Sequence, residues 1–245
     1  MIHTPLAFLA IFDPAYLLLV GPFILLSIFA AMKVRGTFAR MHEVPAFSGL
    51  TGAQVAREIL LRNGLKQIVV EQTPQHLGDH YSPDEKTIRL SPEVYNGTSV
   101  AALGVAAHEC GHALQDKDNY GPLKFRSGMM PLAMFGSQAW VWLLLAGFLL
   151  GGMAGSGLGQ WLVLAGIGLF SVVVLLQLVT LPVEFNASAR ARRILVDDGF
   201  IAPQENRAVG SVLNAAAWTY VAAALTAVAT LLYYLLMFAG NRGEE

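Results

Sequence analysis

The stretch that decides the fold contains no charged residue from Ser127 to Val183 and reads SGMMPLAMFGSQAWVWLLLAGFLLGGMAGSGLGQWLVLAGIGLFSVVVLLQLVTLPV. A helix that crosses a bilayer needs about 20 predominantly apolar residues, so this stretch is long enough for two crossings. The glycine-rich segment 151–157 predicts a tight turn between them. We therefore expect membrane spans near 132–151 and 161–181.

Two more charge-free runs, 14–32 and 208–241, predict spans near 15–32 and 216–238. The composition agrees with a membrane protein, because hydrophobic residues make up 55% of the 245 residues and charged residues only 13%. Soluble proteins average about 25% charged residues. Buried core helices of a large soluble protein would need a polar shell that this chain lacks. The sequence thus predicts four helical crossings.

The basic residues indicate how these spans are oriented. All of the 16 Lys and Arg residues except Arg242 lie in 33–126 and 184–207, which share one face if four helices cross. Cytoplasmic loops of membrane proteins carry an excess of Lys and Arg. We therefore expect both segments in the cytoplasm and both chain termini outside. A net charge of −1 gives no reason to expect nucleic acid as a partner.

The segment between the first two spans predicts a small α+β domain. The expected elements are a helix capped by Thr51 that ends near Asn63, a strand at 67–71, a loop at 74–82, a strand at 87–90 and a helix from Val100 to about Asp116. The last of these helices carries the residues that indicate chemistry.

That helix contains the motif His-Glu-x-x-His within AHECGHA at 107–113. His108 and His112, at i and i+4, point from one face of a helix and can hold one zinc ion through imidazole nitrogens. Glu109 can then act as the general base that takes a proton from zinc-activated water. Two buried histidines with ordinary hydrogen bonds are the alternative. Cys110 lies away from that face and is interpreted as a small packing residue.

A catalytic zinc keeps three protein ligands and an open position, so a third ligand is needed. Glu184 is the best candidate, because it follows the third span on the cytoplasmic side. Ser188, one turn later on the same helix face, can orient a ligand by a hydrogen bond. Alternatively, Glu184 only marks the membrane boundary and pairs with Arg190 or Arg192. The residues alone leave this open, and the other candidate ligands are Asp79, His80, Asp197 and Asp198.

Four runs together carry a resemblance to a known family. They are DHYSP at 79–83, IRLS at 88–91, AAHECGHALQ at 106–115 and LPVEFNAS at 181–188. Over roughly 40–210 the chain resembles the YugP-type membrane neutral zinc metallopeptidases of bacteria, and more distantly the HtpX heat-shock protease and the CAAX prenyl protease. The resemblance implies that Glu184 is the third zinc ligand. In the distant relatives an Asp stands four residues after that Glu, where this chain has Ser188.

The resemblance also implies how a substrate binds. In related zinc proteases a strand ahead of the metal-binding helix pairs with the extended peptide, and 87–90 is the candidate here. His80 and Tyr81, in the loop before it, are candidates for donating to the oxyanion that forms at the scissile carbonyl. Arg190 is a candidate for orienting the third ligand or the oxyanion.

The predicted fold class is mainly α: a four-helix integral membrane protein with a small cytoplasmic α+β zincin-like metalloprotease domain. The expected domains are the N-terminal tail and first transmembrane helix (1–32), the cytoplasmic α+β domain with the zinc-motif helix (33–126), transmembrane helices two and three (127–183), a cytoplasmic helix with the third ligand (184–207), and the fourth transmembrane helix with the C-terminal tail (208–245).

The predicted function is that of a gluzincin-like zinc metalloendopeptidase in the bacterial cytoplasmic membrane, acting in membrane-protein quality control or processing. Zn²⁺ is the expected cofactor, held by His108, His112 and Glu184, with the active site facing the cytoplasm. The expected partners are a polypeptide substrate and the lipid bilayer. The sequence leaves open a membrane-protein partner or a homo-oligomer.

Three other functions are compatible with parts of the sequence. A site-2-type intramembrane protease needs the zinc motif inside a span and an Asp-Gly pair on another, but Asp198-Gly199 lies among charged residues and 115–119 is too polar for hydrocarbon. A non-catalytic membrane scaffold or partner of another protease would close its zinc site with four ligands. A hydrolase of non-peptide bonds would use the same chemistry.

Overall fold

The computed structural model describes residues 13–75, 78–152 and 157–240. Its helices are α1 (Pro14–His42), α2 (Gly52–Arg62), α3 (Pro92–Tyr95), α4 (Val100–Lys117), α5 (Gly121–Leu149), α6 (Gly157–Asp197) and α7 (Asn206–Gly240), with a 3-10 turn at Pro203–Glu205. The strands are β1 (Val69–Gln72), β2 (His80–Ser82) and β3 (Thr87–Leu90). The described chain is therefore mainly helical with one small sheet, as its sequence predicts.

Four helices, α1, α5, α6 and α7, are long and apolar enough to cross a membrane, which confirms the predicted number. α5 ends at Leu149 rather than at residue 151. Gly151 adopts a φ of 72°, and the amides of Gly151 and Gly152 donate back to the carbonyls of Phe148 and Gly147. This is the usual glycine termination of a helix. The rest of the predicted turn (153–156) and the chain ends (1–12 and 241–245) lie outside the described residues.

The chain divides into two compact units, of which the first comprises Met1–Phe29, Phe125–Thr180 and Tyr220–Glu245. Within it, the hydroxyls of Ser27 on α1 and Thr226 on α7 lie 3.1 Å apart. α5 and α6 approach closely, because a Cβ on Gly147 would lie 2.8 Å from the carbonyl oxygen of Gly159. Small residues and hydroxyl contacts of this kind are typical of helix pairs in membranes.

The second unit comprises Ala30–Lys124 and Leu181–Thr219 and contains the sheet and the zinc-motif helix. α2 begins with a reciprocal cap, in which the Thr51 hydroxyl accepts from the Gln54 amide and the Gln54 side chain accepts from the Thr51 amide. Its apolar face, including Ile59, packs in the same core as α4. α4 starts at a Ser99 cap and is buried over most of its length, so the motif sits on a well-anchored helix.

The sheet has the strand order β1-β3-β2, with β1 parallel and β2 antiparallel to β3. β2 lies in the stretch 74–82 that we predicted as a loop. It spans only three residues and exists because it pairs with β3, not because its own sequence is strongly strand-like.

This order shows that the prediction of β3 as the substrate-binding strand is wrong. Both edges of β3 are already paired, so it has no backbone groups left for a substrate. On the outer edge of β1, the Arg57 guanidinium donates to the Val70 carbonyl at 3.0 Å, which covers that edge with a charged side chain. The other edge strand of this sheet is β2.

Candidate metal centre

Three side chains from α4 and α6 converge on one point. His108 and His112 lie one turn apart on α4, and Glu184 lies on α6. One ligand atom from each lies within 4.8 Å of the other two. Glu184 Oε2 is 3.2 Å from His108 Nε2 and 3.6 Å from His112 Nε2. Within the described parts of the chain, this is the group of His, Cys, Asp and Glu that can hold a metal ion.

The two helices can approach this closely because α4 has a glycine where they meet. A Cβ on Gly111 would lie 2.6 Å from the carbonyl oxygen of Ala187, which is far too short for a real contact. Ala187 is itself fully buried. Gly111 lies between the two histidines, and Ala187 lies one turn after Glu184. The close contact therefore sets the distance between the three side chains.

The second nitrogen of each imidazole is also held. Ser188 Oγ lies 3.1 Å from His108 Nδ1, which is the kind of orienting contact that the sequence predicted for Ser188. Gln115 Oε1 lies 3.0 Å from His112 Nδ1. Both imidazoles thus direct Nε2 toward Glu184. Hydrogen bonds on the outer nitrogen that leave the inner nitrogen for a metal are characteristic of histidine ligands.

The electrostatics of the site favour added positive charge. Burial raises the pKa of Glu184, but hydrogen bonds from His108 and His112 outweigh it and hold the pKa well below its usual range. Burial lowers the pKa of His112, but the hydrogen bond to Glu184 and the charge of Glu109 outweigh that effect and raise the pKa. An ionised carboxylate beside two imidazole nitrogens suits a divalent cation, which all three can ligate. These residues therefore fit zinc.

Glu109 lies beside this group in a confined position. Its side chain follows His108 on α4 and retains only 6% exposure. Burial raises the pKa of Asp79, and the charge of Glu109 adds to that effect as it does for His112. A carboxylate in such a place can accept a proton from a water molecule at the metal site.

Cys110 does not point to the metal. It is fully buried in the core, and its thiol donates to the Ala56 carbonyl at 3.6 Å. Burial raises the pKa of this thiol strongly, so the metal-binding thiolate form is disfavoured. The position of Cys110 agrees with its interpretation as a packing residue.

The other candidate ligands lie in different surroundings. The Asp79 carboxylate accepts from the amide and the hydroxyl of Ser91 at 2.7 and 3.0 Å. Asp198 lies 3.6 Å from Arg62 in an ion pair. Asp79, Asp197 and Asp198 are not part of the group of described residues that can hold a metal ion.

The side chains of His80 and Tyr81, two candidates for binding an oxyanion, make other hydrogen bonds. The exposed His80 has Nδ1 2.7 Å from the Gly78 carbonyl, so its Nε2 can donate only when the imidazole is protonated. Tyr81 donates its hydroxyl to Asp116 at 2.7 Å. The oxyanion roles of His80 and Arg190 remain predictions.

Sequence reasoning missed Gln115 and Asn186. Gln115 is fully buried and joins His112 on α4 to Asn186 on α6. The only local signal was its position three residues after His112, on the same helix face. Arg190, which the sequence placed near the third ligand, contacts Asn186 rather than the imidazoles, with its Nε 2.9 Å from Asn186 Oδ1.

The fold and this centre agree with the comparisons with known proteins. The family model described as "Putative neutral zinc metallopeptidase" matches residues 16–239, and the chain therefore belongs to that family. A curated relative, "Putative membrane protease YugP" of Bacillus subtilis (strain 168), is 47% identical over 220 residues, which cover 90% of this chain and 95% of the relative. No solved structure matches the chain.

Proposed function

We propose that this chain is a membrane-bound zinc metalloendopeptidase with its active site on the cytoplasmic side. The observation that carries the proposal is the convergence of His108, His112 and Glu184 with both imidazoles directing Nε2 toward the carboxylate. Three protein ligands leave one position of a zinc ion open, as in catalytic rather than structural sites. Membership of a zinc metallopeptidase family and the name of the relative support the same function.

Each residue near the metal has a defined task in this proposal. A bound zinc ion supplies Lewis acidity, which activates water and polarises a carbonyl oxygen. Glu109 accepts the proton of the attacking water and delivers it to the leaving amine. Ser188 and Gln115 hold the imidazoles so that the ligand atoms need no rearrangement. The cofactor is Zn²⁺ and the substrate is a polypeptide.

The substrate is proposed to lie along β2 in an extended conformation. β2 is an edge strand of the sheet and packs near α4. Pairing with it would use main-chain hydrogen bonds, which give affinity without strong sequence specificity. Such binding suits cleavage of unfolded segments, in agreement with a role in membrane-protein quality control or processing.

Zinc content tests the ligand set. Glu184→Ala removes a ligand and leaves two imidazoles, so we expect a protein purified without added metal to lose most of its zinc and its cleavage of an unfolded substrate. Glu58→Ala is the matched control, because Glu58 is partly exposed and pairs with Arg62 one turn away. Metal analysis and a casein-type cleavage assay measure both. Full zinc occupancy in Glu184→Ala would remove Glu184 from the ligand set.

Labelling of an introduced cysteine tests the proposed orientation. Gln67 is exposed in the second unit, whereas the native Cys110 is fully buried. We expect Gln67→Cys to react with a membrane-impermeant maleimide in inverted bacterial vesicles and not in intact cells with a permeabilised outer envelope. The unsubstituted protein is the control for Cys110. Labelling only from the outside would place the site on the other face.

Two alternative functions predict different results. A site-2-type protease would carry the motif within a span, but α4 is not among the four long apolar helices of the described chain. A non-catalytic scaffold would retain zinc but cleave nothing. The wild-type cleavage assay distinguishes it from the proposed peptidase.

A further inference from the structure

Gln115 is a fully buried amide whose polar atoms all have partners. Its Oε1 lies 3.0 Å from His112 Nδ1. Its Nε2 lies 2.8 Å from the Val183 carbonyl and 3.0 Å from Asn186 Oδ1. One side chain of α4 therefore contacts a proposed zinc ligand of its own helix and the residues on both sides of Glu184 on α6.

The partners decide which way the amide points. A backbone carbonyl can only accept, so the atom of Gln115 that faces Val183 must be the nitrogen. The atom of Asn186 that faces Gln115 also accepts from Arg190 Nε at 2.9 Å, and a guanidinium can only donate, so that atom is an oxygen. Arg190 in turn donates to Asp118. Two acceptors on one side therefore force Oε1 of Gln115 toward His112.

This direction determines the tautomer of His112. Oε1 can only accept, so a neutral His112 carries its hydrogen on Nδ1 and its lone pair on Nε2. Nε2 is the atom that faces Glu184 at 3.6 Å. The opposite tautomer would place a hydrogen where the metal binds and would leave Oε1 of Gln115 without a donor, which is costly for a buried group.

We propose that Gln115 is a positioning residue, which holds His112 in its metal-binding tautomer and joins α4 to α6 beside Glu184. The inference rests on the proposed zinc site. Arg190 acts through it, three hydrogen bonds away from the imidazole, because it orients Asn186. Arg190 thereby affects the position of His112 although its Nε contacts Asn186 and not the imidazole.

Zinc affinity of Gln115→Met tests the inference. Methionine keeps a similar volume, but its thioether is only a weak hydrogen-bond acceptor, so we expect roughly 10- to 100-fold weaker zinc binding. Leu114→Ala is the control for a generally weakened α4, because Leu114 is buried in the same core and has no polar group. It should lower the unfolding temperature without changing zinc affinity. Equal zinc affinity of wild type and Gln115→Met would overturn the inference.

Gln115→Glu separates positioning from mere packing. Its carboxylate still accepts from His112 but cannot donate to Val183 or Asn186. A purely structural role predicts that it damages zinc binding at least as much as Gln115→Met does. The positioning role predicts that it binds zinc more tightly than Gln115→Met, although it is less stable to unfolding. Zinc binding by Gln115→Glu that is no tighter would overturn the role in holding the tautomer.

A measurement on the wild type keeps the test valid if these variants do not fold. In zinc-loaded wild type with ¹⁵N-labelled histidine, the Nδ1 hydrogen of His112 should exchange slowly with solvent, because the buried Gln115 accepts it. Fast exchange of that hydrogen would overturn the inference. Its failure differs from that of the proposed function. Wild type without zinc, or zinc that persists in Glu184→Ala, overturns the metal site, whereas a fast-exchanging Nδ1 hydrogen in zinc-loaded protein overturns only the role of Gln115.

Discussion

Glu109→Gln is expected to abolish peptide-bond cleavage while the protein retains its zinc. The amide has nearly the same shape as the carboxylate, so the buried position beside His108 stays filled, but it cannot accept a proton from water. General-base catalysis contributes roughly 10²- to 10⁴-fold to a rate, so the cleavage rate of the variant should fall by about that factor. Cleavage of an unfolded substrate and zinc content are measured on the same preparation.

Two controls make this result specific. Glu58→Gln changes a partly exposed carboxylate of the same unit and should leave cleavage unchanged. Glu184→Ala should lose zinc and activity together, whereas Glu109→Gln should lose only activity. If Glu109→Gln cleaved at the wild-type rate with full zinc occupancy, Glu109 would not be the general base.

Gly111→Ala is expected to disrupt the metal centre and destabilise the second unit. The added Cβ would meet the Ala187 carbonyl oxygen at 2.6 Å, so α4 and α6 would have to separate. Overpacking of a buried contact costs typically about 1–3 kcal/mol, and separation would move Glu184 away from both imidazoles. We expect a lower unfolding temperature and weaker zinc binding, measured by thermal unfolding and metal titration.

Gly121→Ala is the matched control for this substitution. Gly121 belongs to the same unit, and nothing lies within 4 Å of an added Cβ. Since alanine is the better helix former, Gly121→Ala should be neutral or slightly stabilising. The clash at Gly111 is with backbone, so Ala187→Gly should not rescue Gly111→Ala. Normal zinc affinity in Gly111→Ala would show that this contact does not set the site.

Local sequence patterns predicted most of the helices of the described chain. α4 begins at Val100 as expected and ends at Lys117, one residue beyond the expected end. The long apolar helices were predictable because each charge-free run is a continuous local signal. β2 was not predicted, since three residues carry little periodicity and a strand of that length is recognised mainly by its partner. The central position of β3 could not be predicted either, because it depends on which strands pair with it.

The candidate site was predicted in proportion to how local its residues are. His108, Glu109 and His112 lie within five consecutive residues, and helix geometry alone puts the two histidines on one face. Glu184 was preferred among several carboxylates because it follows the third span, and a resemblance supported that choice, since no periodicity connects residues that far apart. Ser188 was inferred from its spacing to Glu184. Gln115 gave almost no signal, because the sequence does not distinguish a buried glutamine from an exposed one.

By itself, the sequence determined the number of apolar helices and the helix that carries the paired histidines. Both follow from short-range regularities, the length of an apolar run and the 3.6-residue repeat of a helix. Only the tertiary structure decided which carboxylate meets the histidines, since His108 and Glu184 are 76 residues apart. Their meeting depends on a close contact of Gly111 with Ala187 and on hydrogen bonds of Gln115 across two helices. Packing and buried hydrogen bonds between distant segments belong to the folded chain and cannot be read from either segment alone.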